Sequence, residues 1–213
     1  MKKLDTSLYF ITDSTLFEEE EFLRRVEAAL KGGVTLMQIR EKDRSTREYM
    51  ALAKRTHELA EKYGVPLIVD DRLDVAMAIG AEGVHLGQSD MPIDVARRIY
   101  GSEKIIGATA KTVPQALEAY GQGADYLGVG AIFPTTTKVK TILTSVDTLR
   151  DICAAVPIPV NAIGGLNKGN VDVLAGVPIA GVCVVSAIMK ADDPELAAKE
   201  LRARMTELGL AVR

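Results

Sequence analysis

Eight short apolar runs recur along this 213-residue chain, and a stretch with helical spacing follows each of the first seven. The runs lie at 8–12, 35–40, 66–69, 83–86, 104–108, 126–132, 159–163 and 181–186, and each reads as a strand. Helical stretches are predicted at 18–31, 47–63, 73–79, 93–100, 113–120, 146–155 and 169–174. A last one is predicted at 194–208, with Asp193 as N-cap and Pro194 in the first turn. Such alternation implies a parallel sheet, and near-continuous apolar strands imply a sheet buried on both faces. The count of eight, the length and the short connections favour an α/β fold of the closed (β/α)8 TIM-barrel type. No linker, low-complexity segment or long charge run interrupts the pattern, so residues 1–213 read as a single domain. The segment 80–87 echoes 123–130, each placing a glycine turn before a strand, as repeated helix–turn–strand units do.

In a parallel barrel all strand C-termini open on one face, so residues far apart in sequence converge there. The polar clusters of this chain sit at those ends. Gln38-Ile39-Arg40-Glu41-Lys42 closes the second run, Asp70-Asp71-Arg72 the third and Gly87-Gln88-Ser89-Asp90 the fourth. Pro134-Thr135-Thr136-Thr137-Lys138 follows the sixth, Gly164-Gly165 the seventh and Val185-Ser186 closes the eighth. Asp70, Asp71 and Asp90 offer the hard oxygen ligands that Mg²⁺ prefers. The competing reading makes Asp71 and Asp90 caps of the helices they precede. Arg40, Lys42 and Lys138 suit phosphate oxygens, against a plainer fate as surface charges or partners of Glu41. Thr135, Thr136 and Thr137 offer three hydroxyls and backbone N–H groups, and Gly165 and Ser186 close the seventh and eighth runs, where barrels often bind phosphate. Together these groups describe a metal-bridged diphosphate clamp beside a second phosphate site.

Other classes are disfavoured. A net charge of -3 and only 5% aromatic residues, with no Trp, give no reason to expect nucleic acid or an anionic membrane as partner. No apolar leader follows Met1-Lys2-Lys3 and no run is long enough to span a bilayer, so the cytoplasm is the expected compartment. Cys183 lies in a strand run and Cys153 on a helical pattern, and their spacing suits neither a disulfide framework nor a zinc knuckle. His57 is expected on a helix surface and His85 in the core or behind the site, so an acid/base pair is not evident. The polar set suits a reaction whose main demand is to hold and release pyrophosphate.

These motifs, in this order, resemble the thiamine-phosphate synthase (thiamine-phosphate pyrophosphorylase) family. The resemblance runs from LYFITD at 8–13 to VVSAI at 184–188, and its most specific pieces are QIREK at 38–42, GVHLGQSDM at 83–91 and GVGAIFPTTTK at 128–138. It implies a (β/α)8 transferase of thiamine biosynthesis, with a homo-oligomer left open. The implied reaction joins 4-amino-5-hydroxymethyl-2-methylpyrimidine diphosphate to a thiazole phosphate with Mg²⁺, giving thiamine phosphate and pyrophosphate. Carried over by position, Gln38, Arg40 and Lys42 contact the pyrimidine diphosphate, and Ile39 and Glu41 of the same motif join the substrate-binding set. Asp71 and Asp90 bind Mg²⁺, and Lys138 reaches the pyrophosphate as a catalytic cation with Arg40 and Lys42. Thr135, Thr136, Thr137, Gly165, Val185 and Ser186 hold the thiazole phosphate. Thr109 stands where the family often has Ser, and keeps the hydroxyl. Asp70 stands where the family commonly has Asn; an ionised Asp only accepts hydrogen bonds, so it suits the pyrimidine amino group or the metal shell. Two rival readings are a thiazole tautomerase, which needs a positioned base, and a non-catalytic sensor of thiamine precursors.

Overall fold

The computed structural model describes residues 4–135 and 142–210. Thr136, Thr137, Lys138 and residues 139–141 lie outside the described residues. Eight parallel strands close into one barrel in chain order: β1 (Leu8–Ile11), β2 (Leu36–Ile39), β3 (Leu67–Asp70), β4 (Gly83–Leu86), β5 (Ile105–Ala110), β6 (Tyr126–Gly130), β7 (Val160–Ile163) and β8 (Gly181–Val184). The β1–β8 pair closes the ring, with Tyr9 opposite Cys183. Outside lie α1 (Glu19–Lys31), α2 (Thr46–Lys62), α3 (Leu73–Ile79), α4 (Ile93–Tyr100), α5 (Val113–Gly121) and α6 (Val146–Ala155). A 3-10 turn (Val171–Leu174), α7 (Ser186–Met189) and α8 (Pro194–Glu207) complete the layer.

Strand side chains alternate between two cores. Leu8, Phe10, Met37, Ile39, Val69 and Val84 face outwards, into the layer shared with the helices. Tyr9, Ile11, Leu36, Ile68, Tyr126 and Cys183 fill the barrel interior. Helix starts follow local chemistry. Ser45 and Glu48 form a reciprocal capping box on α2, and Thr112 and Ser145 accept backbone N–H groups at the starts of α5 and α6. Asp193 caps α8 as expected, its Oδ1 accepting the Leu196 N–H at 3.0 Å. The echo of 80–87 in 123–130 corresponds to Gly80 and Gly123, which take left-handed φ angles of 76° and 98° before β4 and β6.

Four expectations need correction. The eighth strand stops at Val184, and Ser186 begins α7 instead of ending the strand. The sixth stops at Gly130. The predicted helix at 169–174 is reduced to a 3-10 turn, because Asn167 Oδ1 accepts the Gly169 N–H and Asn170 Oδ1 accepts the Asn167 N–H, competing with helical bonds. His57 is buried on the inner face of α2, where Glu82 takes its Nε2 at 3.0 Å. Glu82 also accepts the Leu67 N–H, so this pair ties α2 to the barrel's N-terminal end. Among the described residues no helix is long and apolar enough to cross a membrane.

Candidate active site

The strand C-termini surround a cavity of about 460 Å³. Gln38, Arg40, Lys42, Asp70, Asp71 and Asp90 line one side; Thr135, Gly165, Val185 and Ser186 line it too, with Thr109 and His85. Most sequence-predicted site residues that fall within the described residues therefore converge. Ile39 and Glu41 do not line the cavity: Ile39 alternates with Gln38 along β2, and Glu41, beyond the strand's end, is held by Ser14 and Arg44. Ile39 packs in the outer core. The Glu41 carboxylate is buried, with Oε2 accepting Ser14 Oγ–H at 2.7 Å and Arg44 Nε–H at 3.1 Å. Its Oε1 has no partner, and burial raises its pKa. Glu41 thus pairs with Arg44, and the two motif cations turn elsewhere.

They turn to the acids at the end of β3. Lys42 Nζ lies 2.8 Å from Asp70 Oδ2 and also bonds Asp71 Oδ2, while Arg40 Nε lies 3.8 Å from Asp70 Oδ2. Asp70 is 8% exposed, and burial, then the adjacent Asp71 charge, push its pKa up to about 6 despite Lys42. For Asp71, burial raises the pKa, but bonds and charge from Lys42 outweigh it and hold the carboxyl below its usual range. Lys42 loses from burial and gains more from the two aspartates, so its pKa is raised and it stays charged. Burial, opposed by the Gly87 N–H and aided by Asp71, pushes Asp90 up.

The backbone fixes this cluster. Asp71 takes a left-handed φ of 60°, uncommon for a residue with a side chain, while its N–H donates to His85 O at 2.9 Å. The Tyr49 hydroxyl of α2 reaches Ile39 O at 2.9 Å and Asp70 O at 3.3 Å, tying the ends of β2 and β3 together. The Asp90 carboxylate accepts the Gly87 N–H at 2.7 Å. Neither Asp71 nor Asp90 caps a helix: Arg72 and Pro92 occupy the N-cap positions of α3 and α4, without side-chain caps. The capping reading of these acids is therefore wrong. Among the described residues no group of three or more His, Cys, Asp or Glu is arranged as a metal cage.

Opposite, Gly165 has a φ of 64°, and a Cβ there would lie 2.8 Å from Pro134 O, so only glycine lets the loop after β6 close on the end of β7. Sequence reasoning missed Tyr9, Ile11 and Leu166 of the lining. Tyr9 was detectable in principle, since alternation along β1 turns it inwards if Phe10 faces the helices. Cys183 lines the barrel interior and burial raises its thiol pKa far above the usual value, as expected for a core residue. Cys153 is half-buried on α6, with a pKa raised by burial to about 11, so neither thiol is poised to react.

With this geometry in place, likeness to known proteins is informative. Residues 8–188 match the family model described as thiamine monophosphate synthase. Thiamine-phosphate synthase 2 of Streptococcus pneumoniae is 53% identical over 188 residues, covering 88% of this chain and 90% of that one. Thiamine-phosphate synthase of Clostridium tetani is 45% identical over 200 residues, covering 94% and 96%. The solved thiamine phosphate pyrophosphorylase from Pyrococcus furiosus superposes with a TM-score of 0.87 at 42% identity, covering 96% of this chain and 98% of that one. The fold, the cavity at the strand C-termini and these matches agree, and the chain belongs to the thiamine monophosphate synthase family.

Proposed function

We propose that this chain is a transferase that joins 4-amino-5-hydroxymethyl-2-methylpyrimidine diphosphate to thiazole phosphate, releasing pyrophosphate and forming thiamine phosphate. The observation that carries the reading is the convergence of Arg40, Lys42, Asp70, Asp71 and Asp90 on one wall of the cavity, with Thr135, Gly165 and Ser186 also lining it. Two anionic groups can be held there at once, within reach of a shared interior.

The donor set fits Mg²⁺. Asp71 and Asp90 are two carboxylates at neighbouring strand ends, close enough to share a hydrogen bond, and Mg²⁺ commonly takes one or two carboxylates plus substrate phosphate and water. When bound, the ion would neutralise diphosphate charge. Arg40 and Lys42 face the same phosphates and stabilise pyrophosphate as it departs; Lys138 is assigned the same work from its motif. Gln38 and Thr109 offer hydrogen bonds to the pyrimidine, and Asp70 an acceptor for its amino group. Thr135, Thr136, Thr137, Gly165, Val185 and Ser186 anchor the thiazole phosphate. The C–O bond to diphosphate breaks first, leaving a methylene cation stabilised by the aminopyrimidine, and the thiazole nitrogen lone pair then forms the C–N bond. That nitrogen carries no proton, so no general base is needed. Ionic, phosphorylated substrates of this kind support a cytoplasmic setting.

Purified protein mixed with both substrates and Mg²⁺ should yield pyrophosphate and thiamine phosphate in equal amounts, and EDTA should abolish both. Folded protein that forms neither product in Mg²⁺ would overturn the proposed reaction.

A further inference from the structure

The cavity floor holds a hydrogen-bonded chain that the roles above do not explain. It runs through side chains of five strands. Gln38 Nε2 donates to the Tyr9 hydroxyl at 2.6 Å, and the Tyr9 and Tyr126 hydroxyls lie 2.7 Å apart. The Tyr126 hydroxyl is 3.2 Å from His85 Nδ1, and His85 Nε2 is 3.0 Å from Thr109 Oγ1. Tyr9, Gln38, His85 and Thr109 line the cavity, whereas Tyr126 sits behind them, fully buried. The two tyrosine rings meet edge to face at 5.6 Å. Burial raises both phenol pKa values far above normal, so each hydroxyl keeps its proton.

The barrel is built around this chain. A Cβ at Gly107 of β5 would lie 2.1 Å from Tyr126 Cζ and 2.6 Å from His85 Nδ1, so the network fills the space a side chain would take. Gln38 Nε2–H donates to the Tyr9 oxygen, and the arrangement of this chain that leaves neither tyrosine proton unpaired has Tyr9 O–H donating to the Tyr126 oxygen. Tyr126 O–H is left for His85 Nδ1, which accepts only if the neutral imidazole carries its proton on Nε2. Nε2–H donates to Thr109 Oγ1, and the Thr109 proton must point to another acceptor.

We infer that Tyr126 is a positioning residue: its hydroxyl fixes His85 as the Nε2–H tautomer and thereby presents the Thr109 hydroxyl as a hydrogen-bond donor to a heterocycle in the cavity. The identity of that heterocycle rests on the proposed reaction; the tautomer does not.

The test is ¹⁵N NMR of the imidazoles in full-length, substrate-free protein at a pH where they are neutral. The chain has two histidines, and His57→Gln assigns them. His85 should be the Nε2–H tautomer in the unaltered protein. Tyr126→Phe should release it to a mixture or to Nδ1–H, with about a tenfold fall in kcat/KM for the pyrimidine substrate, the loss expected for one hydrogen bond. KM for thiazole phosphate should not change. Tyr9→Phe keeps the Tyr126 donor, so the tautomer should persist. An Nδ1–H tautomer in the unaltered protein overturns the inference, as does Tyr126→Phe with tautomer and rate unchanged. If Tyr126→Phe does not fold, Thr109→Val decides: the Nε2–H tautomer should survive it, and a switch to Nδ1–H shows that Thr109 sets the state. Protein with the expected tautomer but no synthesis would sink the proposed reaction and leave the network intact.

Discussion

Asp71→Asn should lower turnover by about two orders of magnitude and raise the Mg²⁺ concentration needed for half-maximal rate. The substitution isolates charge. Asp71 occupies a left-handed backbone conformation at φ 60°, which asparagine adopts more readily than most residues, so the turn after β3 should be preserved. The amide keeps an oxygen for Lys42 but loses the negative charge that holds Lys42 beside it. It also halves the carboxylate charge that Asp71 and Asp90 together offer a cation. Steady-state rates across an Mg²⁺ titration, with thermal unfolding to confirm the fold, check this. The expected pattern is a fall in kcat partly recovered at high Mg²⁺, with KM for thiazole phosphate unchanged. Full activity with the original Mg²⁺ dependence would reduce Asp71 to a tether for Lys42.

Much of this cluster was legible because the barrel turns sequence order into geometry. Each strand contributes its C-terminal residues to one face, so Arg40, Lys42, Asp70, Asp71 and Asp90 could be gathered without knowing a single distance. Pairing was not legible. β2 ends at Ile39, and beyond it the chain turns Glu41 to Arg44 and Ser14 and away from Arg40 and Lys42. The cations are left to the acids of β3, one strand over. The fully buried floor was also hidden. Tyr9 and Tyr126 lie 117 positions apart and meet only because barrel closure sets β1 across from β6. Strand ends misread for a simpler reason: Val185 and Ser186 are compatible with either state, and a four-residue helix leaves little periodicity to detect. His57 looked like a surface residue because burial on α2 depends on Glu82, which approaches from the β4 side.

Asp70→Asn should make the protein more stable at pH 7 to 8, and the gain should disappear in acid. Asp70 ends β3 almost enclosed, with Lys42 and Arg40 on one side and Asp71 next in sequence. Burial and the Asp71 charge raise its folded-state pKa from 3.8 to about 6. Above about pH 6 the carboxylate is ionised in both states, and the folded state bears the full cost of holding the charge. Between about pH 6 and 3.8 the folded protein binds a proton that the unfolded chain does not, so stability rises as pH falls. Below 3.8 both states are protonated and the cost is gone. Asparagine mimics the neutral form at every pH. The variant should therefore be more stable by about 2–3 kcal/mol above pH 6, equivalent to roughly 5–10 °C in Tm for a domain of this size. Asp71 shifts the opposite way, but both proteins retain it, and Lys42 keeps Asp71 as a partner. Thermal unfolding of the two proteins from pH 8 to pH 4 measures the gap directly. A gap that narrows towards acid identifies a carboxylate kept between two cations at a cost in stability. Equal Tm values at pH 8, or a gap that widens towards acid, would mean that Lys42 and Arg40 stabilise the charge more than burial opposes it.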